Sequence, residues 1–337
     1  MASLLPISVV LPTYNRRKRL ERVLAGLDRQ TASVDLFQVI VVDDGSSDDT
    51  QEWLSKDRPR AYEVRVVRQQ NGGPAKARNA GVAAADGELI VFLDDDVEPM
   101  PELLTEHLRS QRAELNVVVM GPMASLPRYA QPWVAWEQAK LEKQYAEIAR
   151  GDWKPTFRQF WTGNASVARE HVLAAGGFDS SFLRAEDIEL GRRLHERGLR
   201  FRFNPKARGL HHAERSLAAW EAMHKSYGAL EVQIFGGSES PDLHNILAEN
   251  LSRLHPASRW LVGSCVGRPR TVAAVRRSLR SLLEVEEKLN APLASDQVCG
   301  ALANLIYWQA TCEALGRDAF ERLLRLSDEL RGHKTRG

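Results

Sequence analysis

Three consecutive carboxylates, Asp94-Asp95-Asp96, follow directly on five apolar residues, Leu89-Ile90-Val91-Phe92-Leu93. The apolar run has the length and the β-branched and aromatic content of a buried parallel strand. Acidic groups at the carboxyl end of such a strand stand where open α/β sheets bind ligands. Adjacent like charges repel by about 1 kcal/mol at 4 Å in water and by about 4 kcal/mol near a protein surface. Three together therefore point to a cation, and oxygen ligands suit Mg²⁺ or Mn²⁺. Two further acidic pairs, Asp43-Asp44 and Glu186-Asp187, stand at the end of a second apolar run and at the start of an amphipathic segment. A carboxylate at a helix N-terminus stays ionised at neutral pH and can serve as a general base.

The elements that must position these groups alternate between two periods. Apolar runs at Ile7–Leu11, Phe37–Val42 and Leu89–Leu93, with a less buried one over Tyr62–Arg68, read as strands. Helical spacing over Arg17–Asp28, Asp49–Lys56, Ala75–Ala85 and Ala185–Arg197 separates or follows them. Such alternation predicts an α/β fold, a mostly parallel sheet with helices on both faces. Pro74 suits the first turn of a helix opened by Asn71-Gly72-Gly73, where backbone N–H groups favour anions. Further strands are expected at Val117–Met120 and Arg200–Asn204, an irregular stretch over Pro122–Pro132, and a helix over Trp133–Arg150. Beyond residue 215 strand signals cease. Ala218–Leu230, Leu243–Leu254, Thr271–Leu289 and Asp296–Leu326 read as helices, so a domain over 1–215 and an all-helical extension over 216–337 are expected.

Composition narrows the classes of function. The 337 residues are 43% hydrophobic and 27% charged, as in a globular chain with a full core. Lysine and arginine (46) nearly balance aspartate and glutamate (44), a net charge of +2 that argues against a nucleic-acid partner. Cys265, Cys299 and Cys312 lie too far apart for a metal or redox motif and read as buried thiols. The run Ile7–Leu11 ends at Pro12 with no basic start before it, and no apolar stretch reaches the ~20 residues of a membrane span. A cytoplasmic site is expected, with peripheral contact at the inner face of the membrane left open.

Five segments recur in order: Val10-Leu11-Pro12-Thr13-Tyr14-Asn15, Val42-Asp43-Asp44-Gly45-Ser46, Asn71–Gly81, Asp94–Asp96 and Ala185-Glu186-Asp187-Ile188-Glu189-Leu190. Over roughly residues 5–215 they resemble the family 2 glycosyltransferases, whose GT-A fold binds nucleotide sugars. That resemblance implies an inverting transfer of a sugar from a nucleotide-diphosphate donor to a hydroxyl of a glycan or lipid-linked acceptor. Pro12, Thr13, Tyr14, Asn15 and Asp44 would meet the nucleotide base, with Tyr14 as a stacking platform. Lys76 and Arg78 are the candidate cations for the diphosphate, Arg78 at a matching family position near the nucleotide, with a solvated surface charge the alternative for either. Asp96 would ligate the divalent cation, Asp94 would lie near ribose and metal, and Asp95 would adjoin them. His211 matches a position where relatives carry a histidine that reaches the metal, and His212 competes with it; a histidine ligand favours Mn²⁺. Asp187 would be the base and Glu186 its neighbour at the acceptor. Trp161, Gly163 and Asn164 would line the acceptor side.

Competing classes are weaker. A sugar-1-phosphate nucleotidyltransferase needs a glycine- and arginine-rich loop after the first strand, where this chain has Pro12-Thr13-Tyr14-Asn15. A dehydrogenase would need Gly-x-Gly-x-x-Gly after a strand. A degenerate transferase kept as a scaffold is the non-enzymatic alternative. Arg268, Arg270, Arg276, Arg277 and Arg280 near Trp260 form a basic cluster that would suit anionic lipid, or simply a solvated helical face.

Overall fold

The computed structural model describes residues 6–56, 59–182, 184–235, 241–289 and 295–334. Leu183 lies outside them. The chain opens with β1 (Ile7–Thr13), α1 (Arg17–Leu27), β2 (Phe37–Asp43), α2 (Thr50–Ser55), β3 (Glu63–Arg68), α3 (Pro74–Ala83) and β4 (Leu89–Leu93). A three-residue strand β5 (Val97–Pro99), α4 (Leu103–Ala113), β6 (Val117–Met120) and β7 (Met123–Ser125) follow. The long helix α5 (Pro132–Arg150) leads to β8 (Asn164–Ala168), α6 (Arg169–Ala174), α7 (Glu186–Glu196), β9 (Arg200–Phe203) and β10 (Gly209–His211).

The main sheet has seven strands in the order β3-β2-β1-β4-β8-β6-β9. β1 pairs in parallel with β2 and β4, while β8 runs antiparallel to both β4 and β6. Side-chain alternation along β1 splits the core into two layers. Val9 and Leu11 pack with Leu20, Val23, Leu24 and Leu27 of α1. On the opposite face Val10, Ile40 and Phe92 pack with Ala75, Ala77 and Val82 of α3 and with Leu190 and Leu194 of α7. Each fully buried valine, leucine, isoleucine or phenylalanine among them contributes roughly 1.5–3 kcal/mol. Both helices that carry candidate chemistry, α3 and α7, are thereby fixed to one face of the sheet.

A second sheet of three short strands, β5-β10-β7, lies just past the acidic triplet. β10 is antiparallel to β5 and parallel to β7, with His211 opposite Val97 and Ser125. None of these strands was expected; β7 occupies part of the stretch that reads as irregular.

The remaining elements are helices α8 (Leu217–Ile234), α9 (Pro241–Ser252), α10 (Pro256–Cys265), α11 (Pro269–Leu289), α12 (Ser295–Leu315) and α13 (Arg317–Lys334). The single helix expected over 296–326 is broken at Gly316, whose φ of +86° only glycine adopts without strain. Leu243, Leu247, Leu251, Trp308, Phe320 and Leu323 form the core of this helical part. The chain divides into two compact units, one running to Pro127 and resuming over Gln138–Ala213, the other of Arg128–Glu137 with the chain from Glu214 onward. Arg276 and Arg280, two of the five arginines in the basic cluster, pair with the buried Glu221. That pairing leaves less of the cluster's charge for a lipid surface, although Trp260 is 71% exposed. Among the described residues no helix is long and apolar enough to cross a membrane.

Candidate active site

The triplet meets its cations inside the protein. Arg78 of α3 donates from Nη2 to Asp94 Oδ1 at 2.7 Å, and Arg16 donates from Nη1 to Asp95 Oδ1 at 2.9 Å. Arg19 reaches Asp96 Oδ2 at 3.4 Å, with Arg16 a further contact to that oxygen at 3.7 Å. The repulsion expected within Asp94–Asp96 is thus offset by three arginines, so the triplet alone does not demand a metal. Asp95 is buried, and that burial pushes its carboxyl up to about 6 against the opposing charge and hydrogen bond of Arg16. Thr13, expected at the nucleotide, spends its hydroxyl on Asp95 Oδ2 at 2.8 Å.

Arg78 is a buried bridge rather than an open diphosphate ligand. Its Nη1 donates to Glu186 Oε1 at 2.6 Å, so one guanidinium joins α7 to the end of β4. Burial opposes the charge on Arg78, but Asp94, Glu186 and Asp187 outweigh it and raise its pKa. Lys76, on the same helix, is exposed. Asp187 is half-buried; burial and the adjacent Glu186 charge push its carboxyl up to about 7, and Arg78 draws it down. The residue before this pair, Ala185, has φ 56° and ψ 21°, a left-handed conformation costly for a residue with a Cβ. Strain of this kind persists where surrounding contacts over-determine it, and it aims the first turn of α7.

Asp44 finds its partners within the protein. Its Oδ1 accepts from Gly72 N at 2.9 Å and Gln69 Nε2 at 2.6 Å, and its Oδ2 accepts from Gly73 N at 2.9 Å. The anion at the N-terminus of α3 is therefore a side chain of the protein itself. Asp43 turns the chain, accepting from Ser46 N at 3.0 Å. Asn15, with φ 53°, accepts from Ser47 N and Asp48 N and so ties the two loops together. Pro12 lies within β1, and Tyr14, just beyond it, is 45% exposed and available for stacking.

Of the acceptor-side residues, Trp161 is half-buried with its ring edge-on to Tyr145. A Cβ on Gly163 would stand 2.5 Å from Met123 Sδ and 3.1 Å from Asp94 Oδ2, so only glycine fits there. Asn164 is fully buried. Its Nδ2 donates to the Pro122 and Ala207 carbonyls, and its Oδ1 pairs with His107 Nε2 at 2.9 Å. Both polar ends of that side chain are engaged within the protein.

The two histidines separate cleanly. His212 Nε2 lies 2.9 Å from Glu98 Oε2, a carboxylate that also pairs with Arg29. His211 Nε2 lies 3.7 Å from Asp96 Oδ1, and its Nδ1 meets Gln138 Nε2 at 2.8 Å. An imidazole nitrogen beside a carboxylate oxygen is a donor pair that fits Mn²⁺. Among the described residues no group of three or more histidine, cysteine or acidic side chains is assembled around one point. A cation would therefore complete its shell with water or substrate oxygen, as hard divalent ions commonly do. Arg16, Arg19 and Gln138 were not singled out from the sequence. The two arginines fall one helical turn apart at the start of α1, a spacing that places them on one side of that helix; Gln138 carries no comparable signal.

Residues 8–172 match the model of glycosyl transferase family 2. The matched stretch belongs to that family. Validoxylamine A glucosyltransferase of Streptomyces hygroscopicus subsp. jinggangensis is 33% identical over 224 residues, covering 57% of this chain and 52% of the relative. The chain thus spans about half the length of that relative. Among solved structures, the mannosyltransferase PcManGT of Pyrobaculum calidifontis, in complex with GDP-Man and Mn²⁺, superposes with a TM-score of 0.58 at 21% identity. That likeness covers 93% of this chain and 87% of PcManGT. S. aureus TarS in complex with UDP has a TM-score of 0.51 at 20% identity, over 88% of this chain and 89% of the other. The fold is of GT-A type, a seven-stranded mixed sheet flanked by helices.

Proposed function

We propose that the protein transfers a sugar from a nucleoside-diphosphate donor to an acceptor hydroxyl with inversion, using Asp187 as general base and a divalent cation at Asp96 and His211. One observation carries this reading: Arg78 joins Glu186 to Asp94, so the acidic start of α7 and the acidic triplet form one polar cluster. The nucleotide sugar and nucleotide held by PcManGT and TarS, proteins of the same fold, support the class of donor.

In the reaction the acceptor oxygen attacks the anomeric carbon and forms the new glycosidic bond. The bond from that carbon to the donor phosphate breaks, and its electron pair leaves with the nucleoside diphosphate. Asp187 takes the proton of the attacking hydroxyl, and a single displacement inverts the anomeric centre. A carboxyl pushed up to about 7 is well matched to proton abstraction near neutral pH. Glu186, paired with Arg78, stands beside Asp187, and its charge favours the protonated form of the base once it has acted. A cation bound by Asp96 and His211 would supply Lewis-acid stabilisation of the charge on the leaving diphosphate. Tyr14 is the platform proposed for the base, at the exposed end of β1.

The test combines binding and turnover. Thermal shifts with UDP, GDP and TDP, each with Mn²⁺, identify the donor base, and release of the nucleoside diphosphate from matching sugars measures turnover. Asp187→Asn should lower turnover about 10²–10⁴-fold with nucleotide affinity unchanged. Near-normal turnover in that variant rejects Asp187 as the base. Full activity after exhaustive chelation rejects the cation.

A further inference from the structure

Gln138 of α5 is 1% exposed, and its amide meets the ring of His211 through a single hydrogen bond, Nε2 to Nδ1 at 2.8 Å. Its other end, Oε1, is buried without a hydrogen-bond partner among the described residues. His211 is itself held at the end of β10, and its Nε2 faces Asp96 Oδ1 at 3.7 Å. A neutral imidazole carries one N–H and one lone pair on its two nitrogens. Whatever Gln138 presents to Nδ1 therefore decides what Nε2 presents to Asp96.

Two settings follow. With the amide N–H donating to Nδ1, the ring proton sits on Nε2 and points at the Asp96 carboxylate, a closed pairing that needs no cation. A half turn of the amide, which exchanges two ends of nearly equal shape, brings Oε1 to an Nδ1–H. The Nε2 lone pair then faces Asp96, and imidazole and carboxylate together offer a ligand pair. Each setting keeps one hydrogen bond between Gln138 and His211; the turn pairs Oε1 and leaves Nε2 at the position where Oε1 had no partner.

We propose that Gln138 is the positioning residue that selects the tautomer of His211, holding the ring proton on Nε2 in the cation-free protein and on Nδ1 when the cation is bound. The proposal rests on the reading of Asp96 and His211 as the cation site. A carboxylate at position 138 accepts only from Nδ1–H and so favours the cation-ready tautomer. A thioether of similar length favours neither. Histidine ligands are commonly oriented through their second nitrogen in this manner, and loss of the orienting group lowers metal affinity by roughly 10- to 100-fold.

The experiment uses the full chain at pH 8, with Mn²⁺ alone as the probe and free Mn²⁺ counted by electron paramagnetic resonance. Gln138→Met should weaken Mn²⁺ binding by roughly 10- to 100-fold, as loss of an orienting partner does, while Gln138→Glu should retain or strengthen it. Ring ¹⁵N shifts of selectively labelled histidine, read without metal, should report Nε2–H in the wild type and Nδ1–H in Gln138→Glu. A purely structural glutamine would leave those shifts alone. His211→Ala separates the two readings. Weakened Mn²⁺ binding in His211→Ala, with neither affinity nor tautomer changed in the Gln138 variants, overturns the proposal and leaves the cation site standing. Unchanged Mn²⁺ binding in His211→Ala overturns the cation site and the proposal with it.

Discussion

Replacing Arg78 by methionine tests how far one buried cation holds the site together. The guanidinium side chain is 6% exposed and its partner Glu186 8%, so water cannot take over the lost pairing. Methionine fills much of the space of the arginine stem, which keeps the cavity contribution small. What remains is a stranded Glu186 carboxylate, and removing one partner of a buried pair costs about 3–5 kcal/mol. For a unit of this size each kcal/mol lowers the melting temperature by about 2–4 °C, so a fall of roughly 6–20 °C is expected. The Arg78 charge also draws Asp187 down against burial and Glu186, so its loss raises that carboxyl further above about 7. Turnover requires the ionised base, and its acid limb should therefore move to higher pH, by roughly one unit. The double variant Arg78→Met with Glu186→Gln removes the stranded charge and should recover much of the lost stability. Calorimetry of the three proteins and the pH profile of the single variant are the measurements. A melting temperature within about 2 °C of wild type, or no recovery in the double variant, would refute the reasoning.

Two further outcomes follow from burial and backbone geometry. Folded Asp95 keeps its proton up to about 6, whereas an unfolded aspartate releases it near 3.9. Between those values the folded state binds more protons, so stability falls as pH rises, by an amount of order 3 kcal/mol; Asp95→Asn should flatten that fall in thermal unfolding at pH 4 to 7, and an unchanged slope would remove Asp95 as its source. Ala185→Gly relieves a left-handed conformation at φ 56° and should add about 1 kcal/mol of stability while lowering turnover, because the start of α7 is held less firmly. A destabilised variant in urea unfolding would contradict the strain.

The sequence conveyed the parts of the molecule whose signals are local. β4 is a continuous apolar run, β1 and β2 are apolar runs each broken by one polar residue, and α1 and α7 repeat leucine at helical spacing, so these elements stand out. β8 reads Asn-Ala-Ser-Val-Ala and escapes that pattern, because Ser166 and Asn164 are buried polar groups satisfied by His107. β5, β7 and β10 have three residues each, too few to display any period. In the site, Asp94–Asp96 and Glu186-Asp187 drew notice because acidic residues adjoin in the chain. Which cation each meets is not local: Arg16 contacts Asp95 across 79 positions, and Gln138 contacts His211 across 73. The partners of Asn164 are likewise distant in the chain, His107 of α4 and the carbonyls of Pro122 and Ala207.

The shortness of β10 gives its pairing unusual leverage. His211 stands opposite Val97, the residue after Asp96, through only three paired positions. Side chains alternate across a strand, so a one-residue slip would turn the ring away from Asp96 and present Leu210 or His212 instead. An insertion or deletion anywhere between Val97 and Gly209 is harmless only if it leaves that alignment intact. Length variation in the intervening 100-odd residues should therefore collect in surface loops, never within this miniature ladder.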